Sequence, residues 1–269
     1  LLEGIHPSAQ EVLRAAGYSQ IEALPGALEG QELQRKIADA HFIGVRSRTQ
    51  LTAEVLAHAH KLVAIGCFCI GTNQVDLEAA KALGVPVFNA PFGNTRSVAE
   101  MVLAEIVSLS RQLAQRSMEM HSKGWKKTHV HCHEVRGKTL GIIGYGHIGS
   151  QVSTLAEAFG MKVIFYDVIS KLPLGNARGC NTLNEVLRES DFVTLHVPAT
   201  AQTENMISTD QLGLMKKGSF LINASRGSVV DIPALASALR SKHLGGAAID
   251  VFPWEPEKNN NEFVTELQG

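Results

Sequence analysis

What is scarce in this sequence narrows the field first. No apolar run approaches the roughly 20 residues that a helix needs to cross a bilayer, so a membrane partner is not expected. The formal net charge is only −1, so there is no basic surface of the kind that binds nucleic acid or an anionic lipid surface. Cysteine is sparse: Cys67, Cys69, Cys132 and Cys180 are the four present in 269 residues. They contain no CxxC pair, which argues against a disulfide framework and against a zinc ribbon. Reduced thiols in a cytoplasmic protein are the expectation. Low-complexity tracts and short-period repeats are also missing. The opening Leu1-Leu2-Glu3-Gly4 is neither a signal peptide nor a transit peptide, and reads as the tail of a strand that begins further upstream. One stretch looks metal-like, His129-Val130-His131-Cys132-His133. Its potential ligands crowd into a single polar segment with no second half to complete a tetrahedron, so a solvated loop and no metal are expected.

What is present is the pattern of an α/β protein. Hydrophobic residues make up 45% and charged residues 19%, which is enough apolar surface for one large domain or two modest ones. Short apolar runs alternate with helix-period segments in both halves. In the first half the runs are 42–45, 62–65 and 85–88, separated by stripes such as Val55, Leu56 and Ala59, then Leu77, Ala80 and Leu83. In the second half they are 140–143, 163–166, 192–195, 220–222 and 247–251. Continuous Val/Ile/Leu runs bounded by turns fit parallel strands covered on both faces, and helix between strand implies right-handed βαβ units. The prediction is two doubly wound, Rossmann-like α/β domains: residues 1–93, incomplete at both ends, and residues 94–269. The second is expected to begin with a long connecting helix from Ser97 to about Ser122. Ser97-Val98-Ala99-Glu100 has the form of a capping box, and Val98, Val102, Ile106, Leu109 and Leu113 follow at helical spacing.

The strongest motif is Gly144-Tyr145-Gly146-His147-Ile148-Gly149. A GxGxxG alone says little, so its surroundings decide. An apolar run precedes it, and a helical stripe of Ile148, Val152, Leu155 and Phe159 follows. A second strand then ends at Asp167, 23 residues after Gly144. Gly144 allows a tight turn, Gly146 lets backbone approach a pyrophosphate, and Gly149 permits close helix–strand packing. The helix N-terminus offers N–H groups and the positive end of its dipole to phosphate. Asp167 can accept hydrogen bonds from both ribose hydroxyls and repels a 2′-phosphate, which favours NAD over NADP. Arg136-Gly137-Lys138-Thr139 resembles the end of a phosphate loop, but Cys132 stands where the first glycine belongs and the segment precedes its strand.

Ligands of parallel sheets bind outside the carboxyl ends of the strands. The residues there form a polar set: Asp167, then His196-Val197-Pro198, then Asn223-Ala224-Ser225-Arg226-Gly227, then Asp250. A guanidinium between small residues at this edge, Arg226, suits an anion. In the first half, Arg46-Ser47-Arg48 directly follows a predicted strand, so two cations can meet a doubly charged phosphate in an interdomain cleft.

At these residues the chain resembles the D-2-hydroxyacid dehydrogenase family. The resemblance lies in 140–149, in 222–231, and in 246–252 followed by Glu255-Pro256. Segments 62–77 and 89–100 are similar to the branch that oxidises 3-phosphoglycerate, and the match runs along essentially the whole chain. The resemblance implies a catalytic arginine at Arg226 and a catalytic acid at Glu255. It also implies cofactor contacts at His147, Ile148, Asp167, Ala224, Ser225 and Asp250, and substrate contacts at Arg46 and Asn94. The reaction implied is reversible hydride transfer between NAD and a phosphorylated 2-hydroxy acid. Glyoxylate or hydroxypyruvate reduction, or an NAD-sensing role as a corepressor, are the alternatives. The family's histidine lies in a Pro-His-Ile/Leu-Gly-Gly segment after the acid, and the chain reaches Gly269 without one. A truncated enzyme that binds NAD and turns over poorly is therefore expected, as is a homodimer or higher homo-oligomer built around the long helix.

Overall fold

Every strand pairing in the described residues is parallel, as expected when helix-period segments separate short apolar runs. The computed structural model describes residues 1–256 and 262–267, in two units, Leu1–Asn94 and Thr95–Gly269.

The first unit runs α1 (Pro7–Ala15), α2 (Gly30–Ala38), β1 (Phe42–Val45), α3 (Ala53–Leu56), β2 (Ala64–Cys67), α4 (Leu77–Ala82) and β3 (Val87–Asn89). Its sheet has the order β1-β2-β3. Ile43, Val45, Ile65 and Cys67 form the sheet's part of a core with Leu33, Ile37, Leu51 and Leu56. Two strands begin later than the apolar runs suggest. Pro86 has no N–H to give to a ladder and contributes only its carbonyl, to Ile65 N–H at 3.0 Å, so β3 starts at Val87. The stripe on α4 is also narrower than predicted: Ala80 is buried while Leu77 and Leu83 are exposed. The first residues are not a strand. Leu2 N–H donates to Gly44 carbonyl at 2.8 Å, but Glu3 and Gly4 both stand at φ 62, and two left-handed residues in succession turn the chain out of extended structure.

The second unit contains α5 (Thr95–Arg111), α6 (Leu113–His121), β4 (Thr139–Ile143), α7 (His147–Ala158), β5 (Lys162–Tyr166), β6 (Arg178–Gly179), α8 (Leu183–Glu189), β7 (Phe192–Leu195), α9 (Thr209–Leu214), β8 (Phe220–Asn223), α10 (Ile232–Arg240) and β9 (Gly246–Ile249). The sheet order is β6-β5-β4-β7-β8-β9. The chain builds outward from β4 on one side, then returns beside β4 and builds outward on the other. That reversal between β4 and β7 opens a crevice at their carboxyl ends, the usual ligand position of such sheets. Helices cover both faces, with α5 and α7 over one core and α8, α9 and α10 over the other. β7 is buried at all four positions, as a central strand covered on both faces must be. The two-residue edge strand β6 has no apolar run to announce it.

The long connecting helix is not continuous. Gln112 sits at φ 54, ψ 40 between α5 and α6, a left-handed conformation that no α-helix contains. Its amide is engaged on both sides: Nε2 donates to Val130 carbonyl at 3.2 Å, and Oε1 accepts from Arg116 at 3.0 Å. The capping box also fails. The helix already begins at Thr95, which places Ser97 inside its first turn, and Glu100 pairs instead with Arg96 at 2.6 Å. None of the helices is long and apolar enough among the described residues to cross a membrane.

Candidate functional site

The crevice of the second unit is built by glycine where backbone must meet backbone. Gly144 leaves β4 at φ 91, and its N–H donates to Tyr166 carbonyl at 2.9 Å. A Cβ on Gly144 would overlap the carbonyl of His196, and one on Gly149 would overlap the carbonyl of Gly144. These two glycines therefore let the end of β4 lie against both the end of β7 and the start of α7. Gly146 differs. A Cβ there would meet nothing within 4 Å, so no protein contact demands glycine, and the space beside the helix N-terminus is open. Gly146 caps α7 without a side-chain hydrogen bond, so no cap side chain takes up the N–H groups of the helix's first turn.

Asp167 follows β5 and is half-buried. Its Oδ2 accepts from Tyr145 N–H at 2.8 Å, and its Oδ1 from Ile169 N–H at 2.9 Å. The carboxylate thus fastens the glycine turn to the end of β5, while each oxygen retains accepting capacity for a ligand hydroxyl. Tyr145 is fixed from the other side: its ring stacks on Phe165 at 3.7 Å between centroids, and its hydroxyl lies 3.0 Å from Ser153 Oγ. This pair was not legible in the motif.

After β7, His196 Nε2 lies 3.0 Å from Thr194 Oγ1, whereas its buried Nδ1 has no partner among the described residues. Burial alone pushes the imidazole down to about 4, so the ring is neutral at physiological pH. Val197 is half-buried and Pro198 exposed.

After β8, Asn223 is wholly buried and organises the next three residues. Its Oδ1 accepts from Ser225 N–H at 3.1 Å and Ser225 Oγ at 2.8 Å, and its Nδ2 donates to Arg226 carbonyl at 3.0 Å. Asp250 N–H donates to Asn223 carbonyl at 3.0 Å, joining the ends of β8 and β9. Ala224, Asp250, Asn223 and Ile249, with Met101, Val102 and Glu105 of α5, line a cleft of about 230 Å³. Arg226 is exposed, and its guanidinium donates to Ser225 carbonyl at 2.7 Å. Gly227 has no room for a side chain, because a Cβ would overlap the Phe252 carbonyl group. Glu255 Oε1 in turn accepts from Phe252 N–H at 3.1 Å. The loop bearing Arg226 and the turn bearing Glu255 are therefore in backbone contact.

In the first unit, Arg46, Ser47 and Arg48 are exposed at the carboxyl end of β1. Glu3 accepts from Arg46 and Arg48 N–H, each at 3.0 Å, and from Thr49 N–H at 2.9 Å. Gln74 Nε2 donates to Arg46 carbonyl at 2.6 Å. Sequence reasoning found the two arginines but not Glu3 or Gln74, whose distance along the chain gives no local signal. Asn94 is exposed at the last position of this unit. Among the described residues no group of three or more His, Cys, Asp or Glu could hold a metal ion.

Comparison with known proteins agrees with the fold. Residues 103–268 match the family model described as "D-isomer specific 2-hydroxyacid dehydrogenase, NAD binding domain". A D-3-phosphoglycerate dehydrogenase of Haemophilus influenzae is 58% identical over 268 residues, which is 100% of this chain and 65% of that relative. The chain thus spans less than two thirds of that relative's length. Among solved structures, the TT0316 protein from Thermus thermophilus is similar with a TM-score of 0.85 and 33% identity, over 94% of this chain and 81% of that one. A D-lactate dehydrogenase from Aquifex aeolicus complexed with NAD and lactic acid is similar with a TM-score of 0.79 and 32% identity, over 93% of this chain and 74% of that one.

Proposed function

The chain belongs to the D-isomer specific 2-hydroxyacid dehydrogenase family, and on that premise we propose that it serves the NAD-dependent oxidation of 3-phospho-D-glycerate to 3-phosphohydroxypyruvate, the reaction that opens serine biosynthesis. The observation that carries the reading is the glycine turn 144–149, tied to Asp167 and open beside Gly146, in a chain 58% identical to a D-3-phosphoglycerate dehydrogenase.

The crevice fits NAD. The N-terminus of α7 suits the pyrophosphate, and Asp167 suits the ribose hydroxyls. His147, Ile148, His196, Val197, Pro198, Ala224, Ser225 and Asp250 complete the proposed contact set. NAD, when bound, supplies the hydride acceptor. The protein's own task is to hold the acid and manage its proton. Arg226 grips the substrate carboxylate through its planar fork, which fixes the orientation of C2. Glu255 is the acid of the set, orienting and charging an imidazole that accepts the hydroxyl proton. His196 does not fill that role, since an imidazole held near 4 is a weak base at neutral pH. Arg46, Ser47, Arg48 and Asn94 bind the phosphorylated end of the substrate.

The protein works in the cytoplasm on this reading, in keeping with four free cysteines. It works as a homo-oligomer, supported by the exposed Leu113, Met118, Met120 and Trp125 on and after α6. The test is calorimetric titration with NAD and NADP, followed by NADH formation with 3-phosphoglycerate, D-glycerate and D-lactate in a chain extended past the expected histidine. Preference for NAD and for the phosphorylated acid is expected; equal use of unphosphorylated acids would overturn the substrate assignment.

A further inference from the structure

Glu3 is an unusual residue to find buried. It is 5% exposed and held at φ 62, a left-handed conformation that a non-glycine residue rarely adopts. It makes no ion pair among the described residues. A buried carboxylate needs compensation, and here all of it comes from one short turn. Oε1 takes Arg46 N–H and Thr49 N–H, and Oε2 takes Arg48 N–H. Burial would raise this carboxyl, yet the three backbone N–H groups outweigh it, and the group stays charged below the ordinary carboxylate range.

The carboxylate engages the backbone of the two arginines and leaves their side chains alone. Neither guanidinium has a hydrogen-bond or ion-pair partner among the described residues, and both residues are exposed. Gln74, 3% exposed, pins the same turn from its carbonyl side through Arg46. Two uncommitted cations therefore stand on a turn whose backbone is fixed from beneath. An exposed loop carrying two free arginines would otherwise spread over many conformations, and ordering it on binding would cost affinity.

We propose that Glu3 is a positioning residue for substrate recognition: its carboxylate clamps the backbone of the 46–49 turn so that Arg46 and Arg48 are preorganised for the phosphate of the 2-hydroxy acid. This rests on the reading of the two arginines as phosphate-binding. The residue acts through the turn and touches no substrate.

The test begins with amide hydrogen exchange on the unaltered chain, where Arg46, Arg48 and Thr49 N–H should exchange slowly and Ser47 N–H, which Glu3 does not accept, faster. Calorimetric titrations with 3-phosphoglycerate and D-glycerate then compare the unaltered chain with Glu3→Gln and Arg46→Ala. Gln offers one carbonyl oxygen where Glu offers two, at almost the same size. Glu3→Gln should weaken 3-phosphoglycerate roughly ten-fold, change D-glycerate little and leave NAD affinity unaltered. A fault in folding would lower all three together, and the exchange pattern of the unaltered chain decides the matter if Glu3→Gln does not fold. Slow exchange together with selective loss of the phosphorylated acid supports the proposal. Equal exchange at all four amides overturns it, and so does Glu3→Gln binding like the unaltered chain while Arg46→Ala binds weakly. An unaltered chain that treats the two acids alike, with Arg46→Ala silent, overturns the phosphate reading itself, and the proposal with it.

Discussion

Gly227 lies so close to the Phe252 carbonyl group that no Cβ fits between them, and this contact sets the loop of Arg226 against the turn of Glu255. Gly227→Ala must push one of the two backbones away. Overpacking of this kind costs typically 1–3 kcal/mol, so the variant should unfold at lower denaturant with an unchanged slope. NAD binding should persist, because Gly144, Gly146 and Asp167 lie beyond the ends of β4 and β5. Denaturant titration beside NAD titration checks both halves, and an Ala variant as stable as the parent would show that the contact is easily relieved.

Asp167 has two tasks that a substitution series separates. It accepts from Tyr145 and Ile169 N–H, and on the proposed reading it presents negative charge to the 2′ position of the bound ribose. Asp167→Asn removes the charge and keeps only one of the two acceptor oxygens, so it should narrow the preference for NAD over NADP while leaving a single N–H, of Tyr145 or Ile169, without its partner. Asp167→Ala should narrow the preference and also loosen the glycine turn, at a cost of about 1–3 kcal/mol for N–H groups left without a partner. Paired titrations and melting curves distinguish the variants; tighter NADP than NAD binding in the unaltered chain would refute the assignment.

Arg46→Ala in an active enzyme should raise KM for 3-phosphoglycerate by an amount corresponding to roughly 1.5–3 kcal/mol, the worth of a charge-assisted contact. The affinity for NAD should not follow, since the crevice belongs to the second unit. Steady-state kinetics with both substrates varied is the measurement, and an unchanged KM would reduce the 46–48 turn to solvated surface.

Stability should depend on pH through His196. Its imidazole protonates at about 6.5 when unfolded and at about 4 in the folded protein. Between those values the unfolded chain binds more protons, so stability rises with pH and is lost as pH falls from about 6.5 through 4. His196→Gln should flatten that part of the melting-temperature profile, provided the comparison is made at constant ionic strength. Parallel profiles for the two proteins would show that the ring is hydrated when folded.

Met118 on α6 and Trp125 just after it are 67% and 80% exposed, large apolar side chains that a second copy of the chain would cover on the proposed reading. Replacing both by Glu should shift sedimentation towards the monomer while NAD binding survives. A chain that already sediments as a monomer at micromolar concentration would refute the proposed homo-oligomer.

The sequence by itself determined the alternation of the main strands and helices, because apolar runs and helix-period stripes are local features of the chain. It also determined the glycine turn and its acid, since Gly144, Gly146, Gly149 and Asp167 each answer a steric or charge requirement visible within one βαβ unit. Where pairing was long-range, only the tertiary structure could decide. Asp167 reaches Tyr145 because β4 and β5 pair in parallel and end together. Glu3 finds Arg46 across 43 residues, with no periodicity to record the link. The break at Gln112 was hidden for a similar reason: its residues have ordinary helical propensity, and the left-handed turn is held by side-chain bonds to Val130 and Arg116. Local preference writes the elements, and contacts between distant segments, each a matter of tenths of an ångström, decide how their ends meet.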